Sequence, residues 1–415
     1  MPDLQSRAER ALDALSFFAS DARYGLGAYL GVYLMTEHAW DAASIGAALS
    51  VGMLTGLFSQ APLGALVDAI RAKRALIAGA VLVVTATCLV IPLSPVFWTV
   101  STAGLIGALA GVTIGPTLAA LGLGIVGPAR FARRAGRNEA LFHAGDGFLS
   151  LVVLLLAPIF GSPVLFWSMA VTASAAAASA AAIPERAIDH DVARGLLPQD
   201  AAHGVRPSAW GVLLSSRPLL VFAFGGALFT LANASMLGLV AQKMSVGGSA
   251  GQGLAMTAAF AIAAQSVMVP VAWMVGVRAD AWGRRPLLVA AFAVLALRGV
   301  LHAASDDLAW TIGVQLLDGV GAGLMGALFP IVVADLTRGS GHFAAAQGAV
   351  ATVHGLGGVV SMTLGGLLVV RFGYDAAFLT LSAIAALGAV LFWALMPETR
   401  PGLALAGEAV PRHAA

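Results

Sequence analysis

The sequence predicts an all-α membrane protein of twelve transmembrane helices, folded as two six-helix bundles related by a pseudo-two-fold axis along the membrane normal. Three observations predict it: an apolar, charge-poor composition, twelve apolar runs of spanning length, and landmarks that recur between the halves. Of 415 residues, 59% are hydrophobic and 11% charged, against roughly 25% charged in soluble domains. Mean hydropathy is +0.89. A soluble fold of this length cannot hide so much apolar surface, whereas a bilayer accepts it as the exterior. The 49 glycines suit helices that approach closely in lipid. The runs are continuous rather than alternating, which excludes an outer-membrane barrel. A formal net charge of +2 makes no case for nucleic acid. Cys88 is the single cysteine, so there is neither a disulfide framework nor a thiolate metal site.

A spanning helix needs about 20 mostly apolar residues. Such runs lie at 14–35, 44–67, 75–94, 97–126, 138–160, 163–183, 218–241, 250–276, 287–304, 308–334, 345–370 and 376–396. The first follows acids and arginines and has no small-residue cleavage site after it, so it reads as a retained helix. The fourth and tenth are long enough to tilt or extend past the membrane. One lengthy polar stretch, 184–217, divides the chain into a bundle at 1–187, a linker at 188–217 and a bundle at 218–415 with a short tail.

Lys and Arg counts set the sidedness. With the N-terminus in the cytoplasm, the cytoplasmic segments carry 19 of the 23. In order these are Arg7 and Arg10; Arg71, Lys73 and Arg74; arginines 130, 133, 134 and 137; arginines 186, 194, 206 and 217; Arg278, Arg284 and Arg285; Arg338; Arg400 and Arg412. The outer loops hold Lys243 and Arg371, and are otherwise acidic or neutral. Both termini are therefore expected in the cytoplasm, beneath an inner membrane.

Landmarks repeat at a nearly constant offset. Gly64 and Asp68 recur as Gly276 and Asp280, and Lys73 as Arg285, each 212 residues on. Pro116 recurs as Pro330 at 214, His143 as His354 at 211, and Pro184-Glu185 as Pro397-Glu398 at 213. Six helices per unit leave the two copies parallel.

These residues resemble the major facilitator superfamily (MFS). Its signature loop between helices 2 and 3 is matched strongly by GVRADAWGRRP, from Gly276 through Asp280, Gly283, Arg284 and Arg285 to Pro286. The N-terminal copy, GALVDAIRAKR, keeps Gly64, Asp68, Lys73 and Arg74 but has Arg71 where the second Gly usually stands. The chain looks closest to proteobacterial members without an assigned substrate. The resemblance implies a secondary transporter working by rocker-switch alternating access, with the signature loops as conformational switches. It places helices 1, 4, 7 and 10 around a cavity and helices 2, 5, 8 and 11 between the halves. Many drug–proton antiporters of the superfamily carry an Arg in helix 4 and a Gly-Pro pair in helix 5. Here 97–113 has no Arg, and Pro158 follows Ala157.

Charge at mid-bilayer costs at least about 2.5–3.5 kcal/mol, so ionisable groups inside spans need a partner, water or a task. On helix 5, Glu139, His143 and Asp146 fall on one face and form a stripe from the cytoplasmic end. It suits either proton relay or a structural polar network between the halves. By the helix placement that the resemblance implies, Asp21 and Tyr24 on helix 1 are the first choice for cavity lining, and Arg23 would then meet Asp146. On helix 10, Asp318 follows Gln315 by one turn and breaks the repeat, its counterpart being about Leu105. Asn233 and Gln265 are weaker candidates, since a neutral amide in a span is often interhelical glue. His354 completes the set. Arg298 is expected to snorkel to the outer interface, with His302, Trp40, Trp98 and Trp310 as interface anchors. Asp189-His190-Asp191 lies in the polar linker without further metal ligands.

The expected function is proton-coupled movement of a small molecule by a monomer in the lipid bilayer, without cofactor or metal. The acids of helices 1, 5 and 10 serve coupling or binding. Drug or metabolite efflux by antiport and organic-acid or siderophore uptake by symport both remain open, as does a non-transporting receptor on the same fold. No phosphate-cradling loop for ATP appears, and nothing resembles a nucleophile–base set.

Overall fold

The computed structural model describes residues 2–24, 27–196, 209–245 and 250–400, which are helical and contain no strand. The first predicted span is built from three pieces, α1 (Pro2–Phe18), α2 (Ser20–Tyr24) and α3 (Gly27–His38). The rest of the N-terminal half is α4 (Ala42–Ala69), α5 (Lys73–Val90), α6 (Phe97–Val126), α7 (Pro128–Phe160) and α8 (Pro163–Ala182). The linker contributes a 3-10 turn, Glu185–Ala187, and two short helices, α9 (His190–Ala193) and α10 (Ala209–Ser215). The C-terminal half holds α11 (Arg217–Asn233), α12 (Met236–Ser245), α13 (Ala250–Trp282), α14 (Arg284–Ala304), α15 (Leu308–Leu336), α16 (Phe343–Phe372) and α17 (Tyr374–Leu395).

Among the described residues, eleven helical segments are long and apolar enough to cross a membrane. They match the predicted spans after the first. The first falls short because none of its pieces reaches 18 residues. The predicted seventh span is broken too, between α11 and α12. There the hydroxyl of Ser361 on α16 accepts the Ser235 N–H at 3.0 Å, satisfying backbone that lipid could not.

The fourth and tenth spans are long, as expected, at 30 and 29 residues. Two other helices exceed their predicted spans: α7 and α13 each run 33 residues. The ten residues before position 138 read as loop because of their four arginines. They form helix because Pro128 starts it at a position where no N–H is needed. Two of the arginines also share an acid on α1: Arg134 and Arg137 meet Asp13 at 2.7 and 2.5 Å.

Buried apolar residues fall in two clusters. One lies within the N-terminal half, around Leu12, Ile77, Val81, Leu121 and Phe166. The other centres on Phe222, Phe292, Leu328 and Phe392 and reaches into the first half at Leu123 and Phe131. Large apolar side chains such as Phe58, Leu93, Trp167 and Val370 point outward, as lipid contact requires.

Candidate functional site

The repeat landmarks place the signature loops, the linker and both Pro-Glu corners at one end of the molecule, here called the basic end. Between the halves lies a cavity of about 630 Å³, within the roughly 300–1,000 Å³ usual for small-molecule sites. Its walls come from α4, α6, α7, α11, α13, α15 and α16. The repeated prolines, Pro116 on α6 and Pro330 on α15, both line it. Each leaves the carbonyl four residues earlier without its helical donor, and those residues, Val112 and Gly326, also line the cavity.

One wall is a polar chain that joins the halves. His143 Nδ1 lies 2.8 Å from Gln265 Oε1, and Gln265 Nε2 donates to Asp146. Because the amide nitrogen serves the carboxylate, the amide oxygen must accept, which puts the proton on His143 Nδ1. His143 Nε2 then faces Glu139 at 3.7 Å. Two of the predicted stripe, His143 and Asp146, thus meet a single amide from α13, with Glu139 beside His143, and Gln265 is central rather than peripheral.

The repeat partner of His143 lines the opposite wall. His354 on α16 sits between the rings of Phe222 and Phe329, at 5.9 and 5.4 Å. One ring nitrogen bonds the Phe222 backbone, and Nε2 has no protein partner. Gly226 makes room for the ring, since any Cβ there would collide with it. Gln347, two turns earlier on the same face of α16, is buried with its Nε2 also unpartnered.

Other expected site residues lie elsewhere. Asp21 is not among the cavity-lining residues; it accepts a hydrogen bond from Thr172 of α8 at 3.0 Å. The break after Phe18 accompanies this inward turn, with Gly145 of α7 packed directly on the Phe17 carbonyl. The side chains of Arg23 and Tyr24 lie outside the described residues, and Asp146 finds its partner in Gln265.

Asp318 does not line the cavity either. Arg298 takes it, at 2.7 Å. The same guanidinium reaches Asn233 at 2.6 Å and Gln315 at 3.2 Å, while Gln315 Nε2 donates to Asp318 at 3.0 Å. Arg298 is fully buried, so it does not snorkel. A charge at that depth is held by an opposite charge and amides rather than by reaching out. His302 is buried as well, against the Phe378 ring at 5.6 Å, and is no interface anchor.

The signature loops behave unequally. Asp68, on α4, crosses to the other half and accepts the N–H groups of Ala344 and Ala345 at 3.0 and 2.8 Å. These are unpaired first-turn donors of α16, whose own N-cap His342 makes no side-chain cap. Gly64 lets α4 come this close, because a Cβ there would strike the Ala344 carbonyl. Lys73 folds back onto the carbonyls of Val67 and Ile70 at 2.8 and 2.9 Å.

Asp280, in the copy that matches the pattern better, stays in its own half and pairs with Arg284 at 2.7 Å. Arg284 also holds Asp335 at 2.9 Å. Gly276 instead packs backbone to backbone on Gly136 of α7. Gly283 has φ +88°, which only glycine tolerates well. Arg71 can replace it in the other copy because that loop has no positive φ. The Pro-Glu landmarks act alike: Glu185 meets Arg74 at 2.6 Å, and Glu398 accepts the N–H groups of Arg284 and Arg285 at 2.8 and 3.2 Å.

The linker adds to the closed basic end. Asp189 N–H donates to Gly124 O of the first half at 3.1 Å, and Gly195 O accepts from Gly339 of the second at 2.6 Å. Asp189 caps α9 through the N–H groups of Asp191 and Val192, and His190 meets Glu185 at 3.0 Å. No group of three metal-capable side chains occurs among the described residues.

The family model described as Major Facilitator Superfamily matches residues 12–278 and 244–414. The chain belongs to the major facilitator superfamily. It is 45% identical over 393 residues to Mycobacterium tuberculosis proteins recorded as uncharacterized MFS-type transporters, covering 95% of this chain and 94% of each relative. Among solved structures it resembles the proton:xylose symporter XylE bound to 6-bromo-6-deoxy-D-glucose, with TM-score 0.69, 14% identity and 96% of each chain covered. It also resembles the human organic anion transporter MFSD10, with TM-score 0.65, 18% identity and coverage of 94% of this chain and 99% of that one. At these identities the two structures share the MFS fold with this chain.

As an MFS protein, the chain is a multi-pass transporter of small molecules rather than an enzyme. Its cavity uses residues the sequence argument passed over: Gln60, Asn138, Thr230 and Gln347. A neutral amide inside an apolar run was the available signal, and Gln60 and Gln347 both carried it.

Proposed function

We propose that this MFS protein is a proton-coupled secondary transporter of the inner membrane, with its basic end and both termini in the cytoplasm. It works as a monomer whose halves rock about the cavity. The observation that carries the reading is the His143–Gln265–Asp146 chain, because it ties the two halves together through titratable groups at the cavity wall. A proton drives a cycle only if it favours one arrangement over the other. A proton on Asp146 weakens the charge-assisted bond to Gln265, and a proton on His143 changes what Glu139 faces. Either alters the attachment of α7 to α13. The Arg298–Asp318 pair is a second coupling group within the C-terminal half, and Asp21 a third within the N-terminal half.

The contacts of Asp68, Gly64 and Gly136 support assigning this arrangement to the state closed toward the cytoplasm. The test is flux into vesicles with pH gradients of either sign, whose sign also separates symport from antiport. Gradient-independent flux, or unchanged coupling in Asp21→Asn, Asp146→Asn and Asp318→Asn, would remove these carboxylates as couplers.

A further inference from the structure

The linker segment 189–196 is tied down on both sides of the seam between the halves. Toward the first half, the Asp189 N–H donates to Gly124 O near the end of α6 at 3.1 Å. Gly124 permits this approach, because a Cβ on it would stand 2.7 Å from the Asp189 carbonyl oxygen and 2.9 Å from the Ala193 Cβ. Toward the second half, Gly195 O accepts the Gly339 N–H at 2.6 Å, and Arg194 O accepts the Phe343 N–H at 3.2 Å. Leu196 lies on Gly341, where a Cβ would come within 3.0 Å of its Cδ2. Val192 and Leu196 also line a hollow of about 20 Å³ together with Phe131 of the first half and Ile331 of the second, and Ala193 is fully buried.

The first three N–H groups of α16 have no helical acceptor. The linker takes the first, at Phe343, and Asp68 of the first half takes the next two, at Ala344 and Ala345. Arg194 lies close enough for its charge to act on Asp68. The start of this helix is thus completed by groups from outside its own half. The piece that joins the two anchors cannot lengthen without unwinding. It is wound as α9 and capped by Asp189, and a helix rises about 1.5 Å per residue against about 3.3 Å or more for extended chain. Upstream it is fastened to the first half, where Glu185 meets both Arg74 and His190. When the halves part at the basic end, the contacts with 339–343 are the ones that break. We propose that residues 189–196 are a strap that rides with the first half, holds the basic end shut, and has to let go of 339–343 before the cavity opens there. This rests on the alternating-access reading above, and not on what is carried or on proton coupling.

The test measures the distance between spin labels at Arg71→Cys and Arg278→Cys, both exposed at the basic end, in the full chain carrying Cys88→Ser. Two variants undo the strap from opposite sides. Gly124→Val pushes Asp189 and Ala193 away, and Leu196→Ser removes the side chain that lies on Gly341. Each is expected to raise the ratio of long to short distance about tenfold, the worth of one or two hydrogen bonds. A strap is lost when either anchor is undone, so the double variant should match the single ones. Two unrelated structural defects would instead multiply to about a hundredfold. A short distance of unchanged length in every variant shows that the closed fold is intact. An unchanged ratio in Leu196→Ser, or multiplication in the double variant, overturns the strap, and two distances in the parent chain then leave alternating access standing. A single distance in parent and variants alike overturns both.

Discussion

At the scale of single residues, Asp68 does the work of a helix cap from across the molecule. It neutralises two first-turn N–H groups of α16 and places a carboxylate against the positive end of that helix. Caps are worth about 1 kcal/mol, and a charge in a partly buried helix-end geometry up to about 2 kcal/mol. Asp68→Asn keeps the shape and loses the charge. We expect the closed basic end to open about ten times more often. The readout is the rate at which a maleimide labels Ala345→Cys, with Cys88 replaced by Ser, and an unchanged rate would refute the latch. The Arg298–Asp318 pair, proposed above as a coupling group, also braces the C-terminal half from inside. Removing one member of a buried pair costs about 3–5 kcal/mol, because the other charge is left stranded. Arg298→Met and Asp318→Leu should each lower thermal stability sharply, and the double variant should lie above both. Additive losses would show that the two groups do not answer each other.

Legibility at this scale had a physical boundary. The stripe of Glu139, His143 and Asp146 was readable because helical spacing fixes which residues share a face. The Arg298–Asp318 pair was not, because nothing in the distance between 298 and 318 says that α14 turns its arginine inward. Gln265 was undervalued for a similar reason: an amide's importance depends on what stands opposite it, and that is a tertiary fact. The helicity of 128–137 escaped too, since Glu9 and Asp13 on α1 pair with Arg130, Arg134 and Arg137.

At the scale of elements, α4 against α16 and α7 against α13 form the main contacts between halves, and glycines set their closeness. Gly64→Val places a branched side chain against the Ala344 carbonyl. It should leave the basic end open and abolish transport while the protein still reaches the membrane, and normal flux in this variant would show that the close approach is dispensable. The loop between α15 and α16 gives a pH handle. Burial, and then the charge of nearby Arg194, push the His342 imidazole below its ordinary value of 6.5. A group so shifted is neutral when docked. The stability it confers is complete above about pH 6.5 and lost as pH falls through and below that value. Hydrogen exchange around 339–345 should therefore quicken between neutral and mildly acidic pH. His342→Gln should flatten that dependence, and an unaltered profile would exclude His342.

At the scale of the whole molecule, alternating access requires the basic end to separate. Arg71 and Arg278 are exposed near the ends of α4 and α13. Spin labels at these positions should report a short and a long distance whose proportions shift with pH. Asp146→Asn should fix the ratio, whereas a single distance at every pH would argue against rocking.

The two signature loops began as copies and now serve different ends, one reaching across and the other holding its own half. A chimera made from two N-terminal halves would carry a latch on each side and be slow to open, while one made from two C-terminal halves would have none and leak. The duplication thus left the descendant with a division of labour in which damage to one copy is read as misregulation and damage to the other as misfolding.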